Sequence, residues 1–301
     1  MSRNRPNSSL QIPLPEPFSI DLALAAVGAS SFGTPFAAVG PDHVRRLLYL
    51  AGQTAVVDFT FCRASRELQV TSQSLVDAAP LRSVANHLWG LDDDLPACYE
   101  SLGADPQLRP LLHQYAGLRM VRAACLYEAL VSAILGQQIS VASAQSIRRR
   151  LIGALGDRLA VQGEVIAAYP LPDKLLQAGS EGLHALGITR QKARYLLAMA
   201  EQASTGELEP DRFALLSDSE AIARLCSIPG VGRWTAEVAL MYGAGRGDIF
   251  FAGDLALQTA VGRLLGRPDR PTERECRQLS ERWSGWRSYA ALYLLQSLKS
   301  R

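Results

Sequence analysis

Lysine is almost missing from this chain. Its 301 residues hold three (Lys174, Lys192, Lys299), and none lies in the stretch that carries the motifs below, which therefore offers no amine for Schiff-base chemistry. The five cysteines, Cys62, Cys98, Cys125, Cys226 and Cys276, are scattered and fit no CxxC or zinc spacing, so reduced structural thiols are expected rather than a metal site. The four histidines lie far apart, and His184 reads as a packed or surface residue, not a base. No apolar run approaches the roughly 18–20 residues of a membrane span. Met1–Pro17 is polar and proline-rich and lacks the apolar centre of a signal peptide, so residues 1–17 read as a flexible leader to an intracellular, cytoplasmic protein. A net charge of +2 excludes a polycation. The charge is unevenly spread: from Ala221 onward 12 Arg/Lys face 7 Asp/Glu, whereas the preceding residues hold 19 against 22. A modest surplus in one segment suits contact with a few phosphates, although a solvated charged face accounts for it equally well.

The length calls for two or three compact units. Residues 18–80 have mixed texture. Phe32–Phe36 reads as a turn and His43–Gly52 as strand or helix. Thr54–Phe61 and Glu67–Thr71 read as strands by their β-branched and aromatic content. A small α+β domain with an antiparallel sheet is expected, ending at Pro80. From 81 to 301 the chain reads as helical: Leu81–Leu88, Pro96–Leu102, Pro106–Tyr115, Val121–Leu135 with a break at Gly136-Gln137-Gln138, and Ser140–Leu155 capped by Ser140. Arg190-Gln191-Lys192 opens another helix behind the cap candidate Thr189, with Arg190 or Lys192 near phosphate. The tail from Trp283 reads as an apolar helix that closes the core.

The stretch Leu225–Leu265 is the most informative. Ile228-Pro229-Gly230-Val231-Gly232 ends one short helix, turns tightly and starts another at Arg233-Trp234-Thr235. Backbone N–H groups at such a turn, backed by a helix dipole, suit a phosphate on any nucleic-acid sequence. Downstream, Ala252-Gly253-Asp254 places a carboxylate at the start of the run Leu255–Val261. By itself Gly-x-Gly is a common turn and Asp254 a common N-cap; together, in this order and spacing, they are more specific.

PGVGRWTA followed by AGD resembles the helix-hairpin-helix plus Gly/Pro-Asp (HhH-GPD) signature of the helix-hairpin-helix DNA glycosylase superfamily. The tryptophan of GRWTA resembles the 3-methyladenine DNA glycosylase II (AlkA) branch. The resemblance covers nearly the whole chain. It implies a mainly α fold: a two-lobed helical glycosylase core with a small N-terminal α+β domain. One lobe is residues 121–240 with the hairpin; the other is 81–120 plus 241–301. The implied catalytic residue is Asp254, which would stabilise the oxocarbenium charge at C1′ and guide water. Trp234 falls in the base pocket, where an indole face attracts a cationic alkylated base by roughly 0.5–2 kcal/mol. The implied DNA contacts are Gly230, Val231, Gly232, Arg233 and Thr235, and Gln138, aligned through ILGQQISVASA, is the wedge candidate. The branch's wedge here is apolar, so a glutamine is a departure. Two aromatic positions of the family fall on Val238 and Leu295, which suggests a roomier pocket.

The implied partner is double-stranded DNA with an alkylated base, acted on by a monomer without a membrane. No cofactor or metal is required, although hairpins of this type hold Na⁺ or K⁺ on backbone carbonyls, here near Ile228 and Val231. The cysteines of the iron–sulfur relatives are absent, so no iron–sulfur cluster is expected. Bifunctional relatives carry a lysine just after the hairpin, where this chain has Trp234. A monofunctional DNA glycosylase is therefore expected, excising 3-methyladenine or 7-methylguanine type bases by base flipping and leaving an abasic site for base excision repair. The rival readings are a bifunctional glycosylase/lyase, a non-catalytic helix-hairpin-helix module, and a helical interaction protein.

Overall fold

A computed structural model describes residues 8–29, 37–50, 52–161 and 163–299; the turn expected at Phe32–Phe36 lies outside them. The fold is mainly helical with a small antiparallel sheet at the N-terminus. Its first elements are β1 (Ser8–Pro13), α1 (Ile20–Ala29), β2 (Ala38–Val39), β3 (His43–Leu50), β4 (Gln53–Cys62) and β5 (Glu67–Ser72), and the five strands run in the order β1-β5-β4-β3-β2.

The leader expected over residues 1–17 is wrong from Ser8 onward. β1 pairs along β5, Ser8 opposite Ser72 and Pro13 opposite Glu67. Alternate residues Leu10, Ile12 and Leu14 are buried, so β1 covers an edge that would otherwise expose unpaired backbone groups. Pro13 is tolerated because it closes an edge strand. β3 is nearly continuously buried and lacks the alternation of a half-exposed strand. The reason is a hairpin inside the helical part, introduced below, that covers the sheet's second face.

The boundary at Pro80 cuts through α2 (Ala78–Trp89). The apolar stripe Leu81, Val84, Ala85, Leu88, Trp89 joins the sheet's core, which continues to Leu91. Trp89 meets Phe61 edge-on with centroids 4.9 Å apart, a geometry worth about 1 kcal/mol beyond its area.

The helical part follows as α3 (Leu95–Leu102), α4 (Arg109–Gln114), α5 (Leu126–Gly136), α6 (Val141–Leu155), β6 (Arg158–Val161), β7 (Glu164–Ala167), α7 (Pro172–Ala185), α8 (Arg190–Ser204), α9 (Asp218–Cys226), α10 (Arg233–Ala244), α11 (Leu255–Leu264), α12 (Glu273–Ser280) and α13 (Arg287–Ser297). The hairpin β6–β7 was not expected. Val161 and Ile166 close against Leu47 and Val56 of the sheet. The helix expected from Val121 starts only at Leu126, because Arg122 and Ala123 donate their N–H groups across to Leu88 and Tyr242. α5 is buried nearly all round and forms the central element of one continuous apolar core that both anticipated lobes share.

Candidate active site

α9 and α10 form the expected hairpin. Ser217 and Glu220 close a capping box at the start of α9. In the turn Gly230 adopts φ +84° and lies against the ring of Tyr195, where any Cβ would collide. Gly232 is different. Its φ of −82° is open to any residue and a Cβ there meets nothing within 4 Å. Of the two glycines, the turn therefore demands Gly230 alone. Gly232 is the side-chain-free N-cap of α10: no side chain caps the first-turn N–H groups, and the space where a Cβ would stand is open.

Three of the anticipated DNA contacts also make contacts within the protein. The Val231 N–H donates to the Ile228 carbonyl at 3.0 Å and is consumed by the turn. Thr235 is buried, and its hydroxyl accepts from Gln137 Nε2 at 2.9 Å, so its side chain is spent inside the fold. Arg233 pairs through Nε with buried Glu237 at 2.8 Å, and Arg277 completes that site at 2.9 Å.

Sequence reasoning missed Gln137. Its amide also donates to the Gly230 carbonyl at 2.9 Å, which ties the break after α5 to the hairpin. Two adjacent glutamines carry no signal that one turns inward. Gln138 is the outward one, exposed at the apex with φ +57°. It does not border the cleft described next, whereas its neighbour Ile139 does. Ser140 caps α6 and Thr189 caps α8 as expected. Lys192, anticipated near phosphate, instead donates Nζ to the carbonyls of Leu135 at 2.7 Å and Gln137 at 2.8 Å, satisfying the orphan end of α5. Arg190 pairs with Glu181 at the surface.

A cleft of about 380 Å³ opens between α5, α10, Asp254 and α13. It brings together Trp234 and Val238 of α10, Asp254 at the start of α11, and Leu295 of α13 from the far end of the chain. Asp254 is the N-cap of α11: Oδ1 accepts from the Leu257 N–H at 2.9 Å, and Oδ2 accepts from the Trp234 indole N–H at 3.1 Å. One side chain is thus both a helix cap and a carboxylate that borders the cleft. Tyr242 lies on the same wall. Burial, then the Asp254 charge, raises its phenol well above the ordinary range, so it stays protonated. The structure also brings Lys299 from the chain's end to the cleft, and partial burial lowers its amine below the usual lysine range. Reading the motif alone could not reveal this lysine.

The fold and this site define a base-excision class of protein. Residues 131–285 match the HhH-GPD superfamily of base excision DNA repair proteins, and the chain belongs to that family. It is 31% identical over 213 residues to a DNA-3-methyladenine glycosylase of Bacillus subtilis, covering 70% of each chain. It is 35% identical over 179 residues to DNA-3-methyladenine glycosylase 2 of Escherichia coli, covering 59% of this chain and 60% of that protein. The 3-methyladenine DNA glycosylase of Archaeoglobus fulgidus superposes with a TM-score of 0.84 at 25% identity, over 97% of this chain and 98% of that one. These names agree with the branch indicated by GRWTA.

Proposed function

We propose that the chain is a monofunctional DNA glycosylase that hydrolyses the N-glycosidic bond of alkylated bases in duplex DNA. The observation that carries this is the junction of Asp254 and Trp234: an indole N–H holding a carboxylate at the mouth of a largely apolar cleft beside a helix hairpin. The first-turn amides of α10 and the main chain at Gly230 and Gly232 grip a phosphate, and the damaged nucleotide turns out of the stack. A cationic base such as 3-methyladenine or 7-methylguanine is received by the Trp234 face and the aliphatic walls. As the C1′–N bond breaks, its electron pair leaves with the base, which loses its positive charge. Asp254 stabilises the positive charge developing on the sugar and directs a water to C1′. The water's oxygen bonds to C1′, its proton passes to solvent, and an abasic site remains. Gln138, at the apex of the break after α5, fills the vacated space. A Na⁺ or K⁺ on the Ile228 carbonyl is compatible with the turn, since the Val231 N–H occupies one of that oxygen's two lone pairs. The protein acts as a cytoplasmic monomer.

The test is incubation of the wild-type and Asp254→Asn proteins with methylated duplex DNA, followed by identification of the free bases. The variant is expected to lose about 10²-fold or more in rate, the scale seen when a charge-stabilising group is removed. Equal release by both proteins overturns the assignment.

One observation favours a second reading, a bifunctional glycosylase/lyase: Lys299 borders the cleft. Borohydride trapping separates the two readings. The hydrolytic reading expects no covalent DNA adduct; an adduct that disappears in Lys299→Met establishes the lyase.

A further inference from the structure

The carboxylate of Glu237 has no part in the chemistry described above, yet it is nearly enclosed and doubly paired. It stands one turn beyond Arg233 on α10, with its side chain 3% exposed. Its Oε1 accepts from two guanidiniums, Arg233 Nε at 2.8 Å and Arg277 Nη1 at 2.9 Å. The two arginines are used differently. Arg277, on α12, has both terminal nitrogens engaged, Nη1 with Glu237 and Nη2 with Glu273 at 2.8 Å. Arg233 spends only Nε. Among the described residues its Nη1 and Nη2 make no hydrogen bond, and its side chain is 58% exposed. A guanidinium has an N–H on Nε and two on each terminal nitrogen, so most of the Arg233 donors stay free.

An ordinary surface ion pair contributes little, because two mobile side chains must be held in one geometry. Here one partner is fixed already. Glu237 is buried and Arg277 holds it from α12, so the pair restrains Arg233 alone. The restraint acts at Nε and leaves the terminal fork, whose shape matches the oxygens of a phosphate, without a partner. Arg233 is the first residue of α10, directly after Gly232, so this exposed side chain stands at the opening of the hairpin. A fork fixed in advance loses less freedom on binding than a loose one.

We infer that Glu237 is a positioning residue for DNA: it holds Arg233 by Nε so that Nη1 and Nη2 take a backbone phosphate beside the one on the first-turn amides of α10. The inference rests on the duplex-DNA reading above. The sign of one substitution separates positioning from mere proximity. A bystander carboxylate repels a nearby phosphate, so neutralising it tightens binding. Loss of a positioning carboxylate does the reverse, because the fork is set loose.

The experiment measures the Kd for a duplex carrying one abasic-site analogue over a series of salt concentrations. Thermal midpoints are recorded in parallel, so that only fully folded proteins are compared. Arg233→Met is expected to weaken binding about tenfold at about 0.1 M salt. It also lowers the slope of log Kd against log salt by about 0.9, the share of one phosphate. Glu237→Gln is expected to weaken binding about threefold, the scale of ordering one long side chain, and to cause no weakening in the Arg233→Met background. Arg233→Lys keeps the charge without the fork and leaves the buried carboxylate in place. It is expected to keep the slope and lose about threefold in affinity. An unchanged slope in Arg233→Met shows the arginine spent on Glu237 and overturns the inference. So does unchanged or tighter binding by Glu237→Gln, or wild-type affinity in Arg233→Lys. A wild type that binds no duplex overturns the duplex-DNA reading instead, and this proposal with it.

Discussion

Trp234 presents a ring to the cleft and its N–H to Asp254, so a substitution there alters both the surface for the base and the orientation of the carboxylate. The glycines of the hairpin separate more cleanly. Gly230 combines a left-handed φ with a ring packed where a Cβ would sit. Gly230→Ala is expected to destabilise the fold by about 1–3 kcal/mol, read as a lowered urea midpoint. Gly232→Ala has neither problem and is expected to stay within ~0.5 kcal/mol of wild type. On the proposed function its methyl would stand where a phosphate approaches, so duplex affinity is expected to fall while stability holds. An equal stability loss in both variants contradicts this division. The sequence showed two glycines in a turn. Which one the turn needs depends on Tyr195, a residue of another helix, and no local pattern carries that information.

At the scale of elements, the site hangs on the break between α5 and α6. Gln137 fastens it to the hairpin, and Lys192 caps the carbonyls that α5 leaves open. Lys192→Met removes two charge-assisted hydrogen bonds from a partly buried helix end, at an expected cost of about 1–3 kcal/mol in thermal or urea unfolding. The same break carries Gln138, so base release is expected to slow by more than the stability loss alone accounts for at temperatures where the variant is fully folded. A rate unchanged under those conditions separates the break from catalysis. The break and the caps Ser140 and Thr189 were legible because capping is a property of a few consecutive residues. The partners of Lys192 were not, since they lie more than 50 positions upstream.

Across the whole molecule, the sheet and the helical core are joined by buried polar contacts. Arg46 of β3 reaches Glu128 at the start of α5 at 3.3 Å. On α2, His87 meets the Ala123 carbonyl at 3.1 Å, beside the ion pair of Arg122 and Asp93 at 2.7 Å. Burial, then the Arg122 charge, lowers the His87 imidazole to about 4 from its usual 6.5. The sign follows from linkage: between those values the unfolded chain binds a proton that the folded chain refuses. Stability is therefore expected to be level above about 6.5 and to fall as pH drops toward about 4. Urea midpoints measured from pH 7 to pH 5 check this, with His87→Gln giving the flatter profile; parallel profiles remove His87 as the cause.

Local chemistry written in consecutive residues came through in the sequence: the hairpin, the caps, Asp254 at a helix start, and a helical core behind a small sheet. Turns and caps close within a few residues, and their side-chain requirements leave a pattern there. Only the tertiary structure decided that β1 joins the sheet, that β6–β7 covers its second face, that Thr235 turns inward and Val231 spends its N–H in the turn, and that Lys299 and Ser132 border the cleft. Those outcomes depend on which apolar surfaces find each other over long stretches of chain, a matter of shape and burial that no short run of residues records.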